Sequence, residues 1–445
     1  MGPAAPPRHG GLLSALGGLV ALLVLGVAAL VWSGALDRTP PAAPTATSAT
    51  GGPRPTADPA ASRAAAVTGL LDQRAQAVLA RDSDAFLDSV DPAADAFAAG
   101  QRRLIRRLEE VPLAAWSYQV LGQGPDLVGD EAASLPEGSA ILRVRLTYRL
   151  EGTATETDRE QYLTVAPRGG RWLLAGDSDV SSSGFDTQLD VWDLGPVRVV
   201  RGERSVVLGN TRGVDRAAMR RLAGEADSAV EAVDRVWDSD WSRRPVIVVP
   251  ASQKDMASLV GSDGEGLAQI AAVTTGAFED GLSRGDRVVI NPEAFGTLGA
   301  MGRQVVLTHE MTHVATRATS VMPVPIWLSE GFADYVAYVS TSIPTSIAAS
   351  DVLEDVRDGE GPEQLPDIAD FDAGQADIAS AYEGAWLACR MIAERYGERR
   401  LVRLYAALND SAGPGWPEET LELLGVNEGE LVRDWKAYLR DEARS

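Results

Sequence analysis

Residues 305–318 read VVLTHEMTHVATRA and hold two of the three histidines in a chain of 445 residues. The segment from Met301 to Ala318 is rich in good helix formers, so it is predicted as one helix. On a helix, residues four apart project from the same face about 5–6 Å from each other. His309 and His313 therefore point the same way, and both imidazoles can reach one metal ion. Glu310 projects beside them, near enough to act on a water held by that ion. The alternative is a helix that carries two imidazoles through an accident of a short motif, so the surrounding sequence has to decide.

The next helical stretch is PIWLSEGFADYVAYV (325–339), opened by Pro325, with Glu330 and Asp334 four apart on one side. Trp327, Leu328, Phe332, Tyr335 and Val336 mark it as largely buried, where unpaired carboxylates are costly. An acidic helix face in water is the competing reading. A zinc site open to water normally takes three protein ligands, one of them from a neighbouring element.

Taken together, the two stretches resemble the gluzincin, or peptidase MA-like, clan of zinc metallopeptidases. The match to that clan's Trp-Leu-x-Glu-Gly-x-Ala stretch falls at Trp327, Leu328, Glu330, Gly331 and Ala333. The resemblance spans roughly residues 245–440 and is most specific between 305 and 338. It implies Zn2+ held by His309, His313 and Glu330, with Asp334 accepting the distal N–H of a ligand histidine. It also implies peptide-bond hydrolysis by a zinc-activated water, with Glu310 as general base. Relatives add an oxyanion donor, a Tyr or His from a later helix. No histidine follows His313, so Tyr382, in SAYEGAWLACRMIAERYG, is the candidate. Tyr335 and Tyr338 compete, and core packing is the alternative for all three. RVVINPEAF (287–295) resembles the edge strand that aligns an extended peptide in these enzymes. Gly276 to Asp280 partly matches the Gly-x-Met-Glu-Asn segment of aminopeptidase N-type members, which keeps an aminopeptidase beside an endopeptidase as an open reading. A catalytically silent peptidase-fold scaffold or binding protein at the membrane is the rival from another class.

The rest of the chain sets bounds. A net charge of -22 and a pI near 4.6 oppose a nucleic-acid partner, because a phosphate backbone demands a basic surface. The single cysteine, Cys389, rules out an internal disulfide and reads as a small buried hydrophobe on an amphipathic helix.

Residues 12–32, LLSALGGLVALLVLGVAALVW, carry no charge and are long enough to cross a bilayer as a helix. Positive charge precedes them and Asp37 follows. The expected plan is residues 1–11 in the cytoplasm, a single anchor over 12–32, and everything beyond outside the cell membrane, with a cleaved signal peptide as the alternative reading of the apolar run. A Pro/Ala/Thr-rich linker follows over 33–62.

From Arg63, Val67, Leu70, Leu71, Val78 and Leu79 share one helical face, and Phe97, Leu104, Ile105, Leu108 and Val111 form a second. The period then changes to two. Leu142, Val144, Leu146, Tyr148 and Leu150 alternate with Arg143, Arg145, Thr147 and Arg149, and a hairpin is expected about Gly169-Gly170. This helix-then-strand order over 63–192 resembles the cone-shaped nuclear-transport-factor and cystatin-like fold. With no histidine, no cysteine and no acid cluster of obvious purpose, a non-catalytic role in spacing, docking or substrate presentation is expected.

A second unit, 196–445, begins with short strands and a long helix from Asp215 to Trp237. Further strands at 245–250, 270–278 and 287–295 follow, and the chain from Gly299 onward is almost all helix apart from an acidic connection at 341–378. The whole is an α+β chain: an anchor, a small helix-plus-antiparallel-sheet domain and a mixed sheet/helical zincin-type domain.

Overall fold

Val67, Leu70, Leu71 and Val78 recur at helical spacing, and their burial seats the first helix, α1 (Pro59–Ala80), on a sheet. The computed structural model describes residues 59–126, 135–264, 266–279, 282–320, 324–372, 375, 377–409 and 421–445. The side chains of residues 59–62, 277–279, 282–284 and 409 lie outside that description. Residues 12–32 and most of the 33–62 linker fall outside it too. Among the described residues no helix is long and apolar enough to cross a membrane. Helix α1 starts at Pro59, inside the span expected to be linker. Leu79 is 44% exposed rather than facing inward, because it lies in the last turn before the chain reverses at Arg81, whose φ is positive.

The described chain divides into two compact units between Val199 and Val200. In the first, α1, α2 (Ser83–Leu87) and α3 (Asp95–Leu108) precede a four-stranded antiparallel meander. Its strands are β1 (Leu113–Gln123), β2 (Ala140–Leu150), β3 (Thr157–Arg168) and β4 (Arg171–Gly176), paired in that order. On β2 every second residue from Leu142 to Leu150 is buried, as the alternation predicts. Gly169 and Gly170 both have positive φ, which suits a tight hairpin turn between β3 and β4. The core joins Val67, Leu70 and Leu71 to Leu142, Val144, Leu163, Val165 and Leu174.

An acid cluster absent from the sequence expectation also appears in this unit. Asp177, Asp190 and Asp193 border a cavity of about 270 Å³, together with Arg74, Trp116 and Trp192. Burial, and then the neighbouring Asp190, push the Asp193 carboxyl up to about 7. A short helix, α4 (Val191–Leu194), closes the unit, with a reciprocal capping box between Asp190 and Asp193.

The second unit carries a five-stranded mixed sheet. Its strands are β5 (Val197–Arg201), β6 (Val206–Asn210), β7 (Val246–Val249), β8 (Ala272–Glu279) and β9 (Leu282–Ile290), in the spatial order β5-β6-β7-β9-β8. β6, β7 and β9 run parallel, while β8 returns antiparallel to β9 and forms the edge. The continuous apolar run of β7 fits its central place. The crossover after β6 is α5 (Arg216–Val236), capped by Asp215, with Met219, Leu222, Ala226, Val230 and Val233 buried.

The expectation that RVVINPEAF is an edge strand needs correction. β9 lies inside the sheet between β7 and β8 and ends at Ile290. Asn291 then caps a new helix through Glu293 N–H and Ala294 N–H, and Pro292 takes its first position. The elements after β7 are α6 (Gln253–Val260), α7 (Pro292–Thr297), α8 (Ala300–Arg317), α9 (Ile326–Tyr338), α10 (Thr345–Ala348), α11 (Ser350–Asp358), α12 (Ile378–Tyr396), α13 (Glu398–Asn409) and α14 (Glu428–Glu442). Two of these, α10 and α11, interrupt what was expected to be an acidic connection.

Candidate metal centre

Helix α8 is held at both ends. Near its start the Arg303 guanidinium pairs with Glu225 of α5 at 2.6 Å. At its end Arg317 donates to the Gly276 carbonyl of β8 at 3.2 Å and pairs with Asp286 of β9 at 3.2 Å. Between these clamps the face toward α9 carries His309 and His313. A glycine lets α9 lie close to α12: a Cβ on Gly331 would stand 2.2 Å from the Ala385 carbonyl oxygen. Behind α9, Phe332 packs on Trp237 and Tyr405, with ring centroids 5.8 and 4.8 Å away. The Tyr405 hydroxyl donates to Thr316 Oγ1 at 3.2 Å, tying α13 back to α8.

The structure brings His309, His313 and Glu330 together, with one potential ligand atom from each within 4.8 Å of the others. The two Nε2 atoms stand 3.1 Å apart, and Glu330 Oε2 lies 3.3 Å from His309 Nε2 and 3.4 Å from His313 Nε2. The two approaches to Glu330 lack hydrogen-bond alignment, so among the described residues neither oxygen of this wholly buried carboxylate accepts a hydrogen bond. Such a group costs on the order of several kcal/mol unless something else compensates it.

A divalent ion fits that need. Tetrahedral bonds of about 2.0–2.1 Å set donor atoms about 3.3–3.4 Å apart; Glu330 Oε2 already stands at 3.3 and 3.4 Å from the two imidazole nitrogens, and these lie slightly closer to each other, at 3.1 Å. His313 keeps 12% of its side chain accessible, so the cluster is not sealed.

Asp334 Oδ1 lies 2.8 Å from His309 Nδ1. In the neutral ring Nδ1–H donates to that carboxylate, and Nε2 then carries the lone pair facing His313 and Glu330. Burial opposes a proton on His309, but the Asp334 carboxylate outweighs it and raises the imidazole well above its ordinary value. Burial likewise pushes Glu330 up, and the imidazoles of His313 and His309 reverse this and hold it at about 2.

Glu310 is buried next to His309, and its Oε2 accepts from Thr274 Oγ1 of β8 at 2.6 Å. Thr274 was not singled out in the sequence. Its contact joins residues 36 apart, and no local spacing announces it.

Tyr382 sits on α12, 2% exposed, with its ring edge-to-face on Phe371 at 4.9 Å, a core placement. The Tyr335 hydroxyl donates to Glu398 at 2.8 Å, and Tyr338 packs against Trp386. Cys389 is buried, as its sequence setting suggests. The side chains of residues 277–280, which bear on the aminopeptidase-like segment, lie outside the described residues.

No protein-family model matches the chain, and no curated protein matches it. Among solved structures, one similar chain is a mutant of a two-domain M1 zinc metallopeptidase bound to L-arginine. It shows 12% identity and a TM-score of 0.30 over 62% of this chain, which spans 58% of that protein's length. An M1 zinc metallopeptidase from Deinococcus radiodurans shows 13% identity and a TM-score of 0.32, covering 73% of this chain and 69% of its own. A mutant of the Deinococcus radiodurans enzyme gives 15% identity and a TM-score of 0.33 over 73% and 70%. TM-scores of this size do not establish a shared fold; the geometry of the site stands by itself.

Proposed function

We propose that the second unit is a zinc metallopeptidase of gluzincin type acting on a peptide or protein substrate. In this proposal His309, His313 and Glu330 hold Zn2+ and Glu310 is the general base. One observation carries the reading: three donor atoms clustered 3.1–3.4 Å apart, close to the spacing around a tetrahedral ion, one of them on a buried carboxylate that accepts no hydrogen bond among the described residues. Zinc bound there supplies a Lewis acid for the scissile carbonyl and lowers the pKa of a bound water to about 7.

The chain's own residues do the rest. His309 presents Nε2 because its Nδ1–H is committed to Asp334. Glu310 takes a proton from the attacking water and returns it to the leaving amine. β8, at the sheet edge and joined to α8 through Thr274 and Gly276, is the strand suited to align an extended peptide. The uncharged run 12–32 supports the further proposal of a single membrane anchor with this unit outside the cytoplasm.

The test is zinc analysis of the purified protein and its Glu310→Gln variant, with a peptide-library digest of both. The expected result is about one zinc per chain in each, with hydrolysis in the parent alone. A parent without zinc affinity removes the assignment, and a zinc-loaded parent that cleaves nothing favours a binding scaffold. The cleavage positions separate endopeptidase from aminopeptidase action.

A further inference from the structure

We infer that Thr274 is the positioning residue for Glu310, fixing which carboxylate oxygen meets the proton. The inference rests on the peptidase proposal and deepens it. Thr274 lies on the edge strand β8, 7% exposed, and its hydroxyl is 2.6 Å from Glu310 Oε2 and 3.0 Å from the Glu310 carbonyl oxygen. A hydroxyl carries a single proton, and an ionised acceptor makes the shorter and stronger bond. The proton therefore goes to Oε2, and the carbonyl is the secondary acceptor. Oε1 accepts no hydrogen bond from the described residues and is not among the fully enclosed orphan atoms. The two oxygens are thus unequal: Oε2 is tethered to the sheet, while Oε1 is the one left to accept a proton.

The tether works only if β8 is fixed relative to α8. Arg317, on the α8 turn after His313, provides this through the Gly276 carbonyl two residues along β8 from Thr274, and through Asp286 on the paired strand β9. Gly276 makes the approach possible, since a Cβ there would fall 2.0 Å from Asp286 Oδ1. Helix and hairpin are therefore joined at two points, one of which ends on the carboxylate that does the chemistry. A general base works within hydrogen-bond reach and in one orientation, and proper placement contributes on the order of 10²–10⁴ in rate. Releasing Oε2 lets the side chain rotate and forfeits part of that factor.

The experiment compares the parent with Thr274→Val, which keeps the shape and removes the hydroxyl, and Thr274→Ser, which keeps the hydroxyl. Steady-state hydrolysis of the best library peptide is measured beside zinc stoichiometry and the thermal midpoint of each protein. Thr274→Val is expected to lower kcat about 10- to 100-fold with KM, zinc content and midpoint close to the parent, while Thr274→Ser recovers most of the rate. Three results overturn the assignment: a Val variant within about twofold of parental kcat, a rise in KM alone, or loss of zinc together with a lowered midpoint. The last would show a hydroxyl that merely docks strand on helix. A zinc-loaded parent that hydrolyses nothing overturns the peptidase proposal and this assignment together, so the two failures are distinguishable.

Discussion

Gly331 is the position where a single methyl group should test the architecture of the centre. It lies on α9 directly after Glu330, and a Cβ there would stand 2.2 Å from the carbonyl oxygen and 2.5 Å from the carbonyl carbon of Ala385 on α12, with Cys389 Sγ at 3.0 Å. Non-bonded carbon atoms settle about 3.5–4.0 Å apart, so Gly331→Ala requires α9 and α12 to part by about 1 Å. The obstacle is backbone and cannot rotate away, which places the cost at the upper end of overpacking, about 3 kcal/mol. The helix-propensity gain of alanine returns about 1 kcal/mol, leaving a net loss of about 2 kcal/mol. For a unit of this size that corresponds to a thermal midpoint lower by roughly 4–8 °C. Because Glu330 is the adjoining residue, the same displacement should weaken zinc binding at least about tenfold. Thermal unfolding by circular dichroism, with a competitive zinc titration, reads both effects. Gly224→Ala is the control, since nothing lies within 4 Å of a Cβ at that position of α5. A Gly331→Ala protein melting within about 2 °C of the parent, with parental zinc affinity, would refute the claim that close α9–α12 contact positions the ligand.

Asp334→Asn keeps an acceptor for His309 Nδ1–H but removes its charge. Zinc affinity is expected to fall about 10- to 100-fold, and an unchanged titration would reduce Asp334 to buried packing. Glu383 gives a pH prediction away from the centre. Burial holds its carboxyl up at about 9, against an ordinary 4.5, while its Oε2 accepts from Val352 N–H. The folded state therefore keeps a proton that the unfolded state releases near 4.5, so this contribution to stability is complete below that value and fades as pH rises toward 9. Urea unfolding of the parent should show stability falling between pH 6 and 8, by up to about 1.4 kcal/mol per pH unit from this group. Glu383→Gln should flatten that slope, and a variant with the parental slope would assign the dependence elsewhere.

Local relations were legible in the sequence and distant ones were not. Four-residue spacing on α8 places His309 and His313 side by side without reference to any other element. The alternation of β2 and the turn at Gly169-Gly170 are likewise properties of neighbouring residues. β1 escaped notice because bulges between Leu113 and Ala115 and between Val120 and Gly122 break its alternation. The misassigned RVVINPEAF did carry its own warning, since an Asn-Pro pair after a strand is a helix cap with proline in the first turn. Sheet order is a different matter. Nothing in the apolar runs of β8 and β9 says which lies at the edge, and so Thr274 could not be connected to Glu310 before the strands were placed.

The stretch that completes the ligand set shows why periodicity alone would have missed it. From Trp327 to Tyr338 every residue of α9 except Ser329 is buried, so the helix has no polar stripe and no amphipathic signature to read. Each side of it answers to a different neighbour. Glu330 and Asp334 meet His309 of α8, Gly331 meets Ala385 of α12, and Phe332 meets Trp237 and Tyr405. Two carboxylates in such surroundings would be a liability in a helix selected for packing alone. Asp334 is compensated by the His309 N–H, whereas Glu330 has imidazole nitrogens beside it and, among the described residues, no hydrogen bond to either oxygen. The residue that looks worst as packing is thus the one whose burial calls for positive charge in the space it shares with the two histidines.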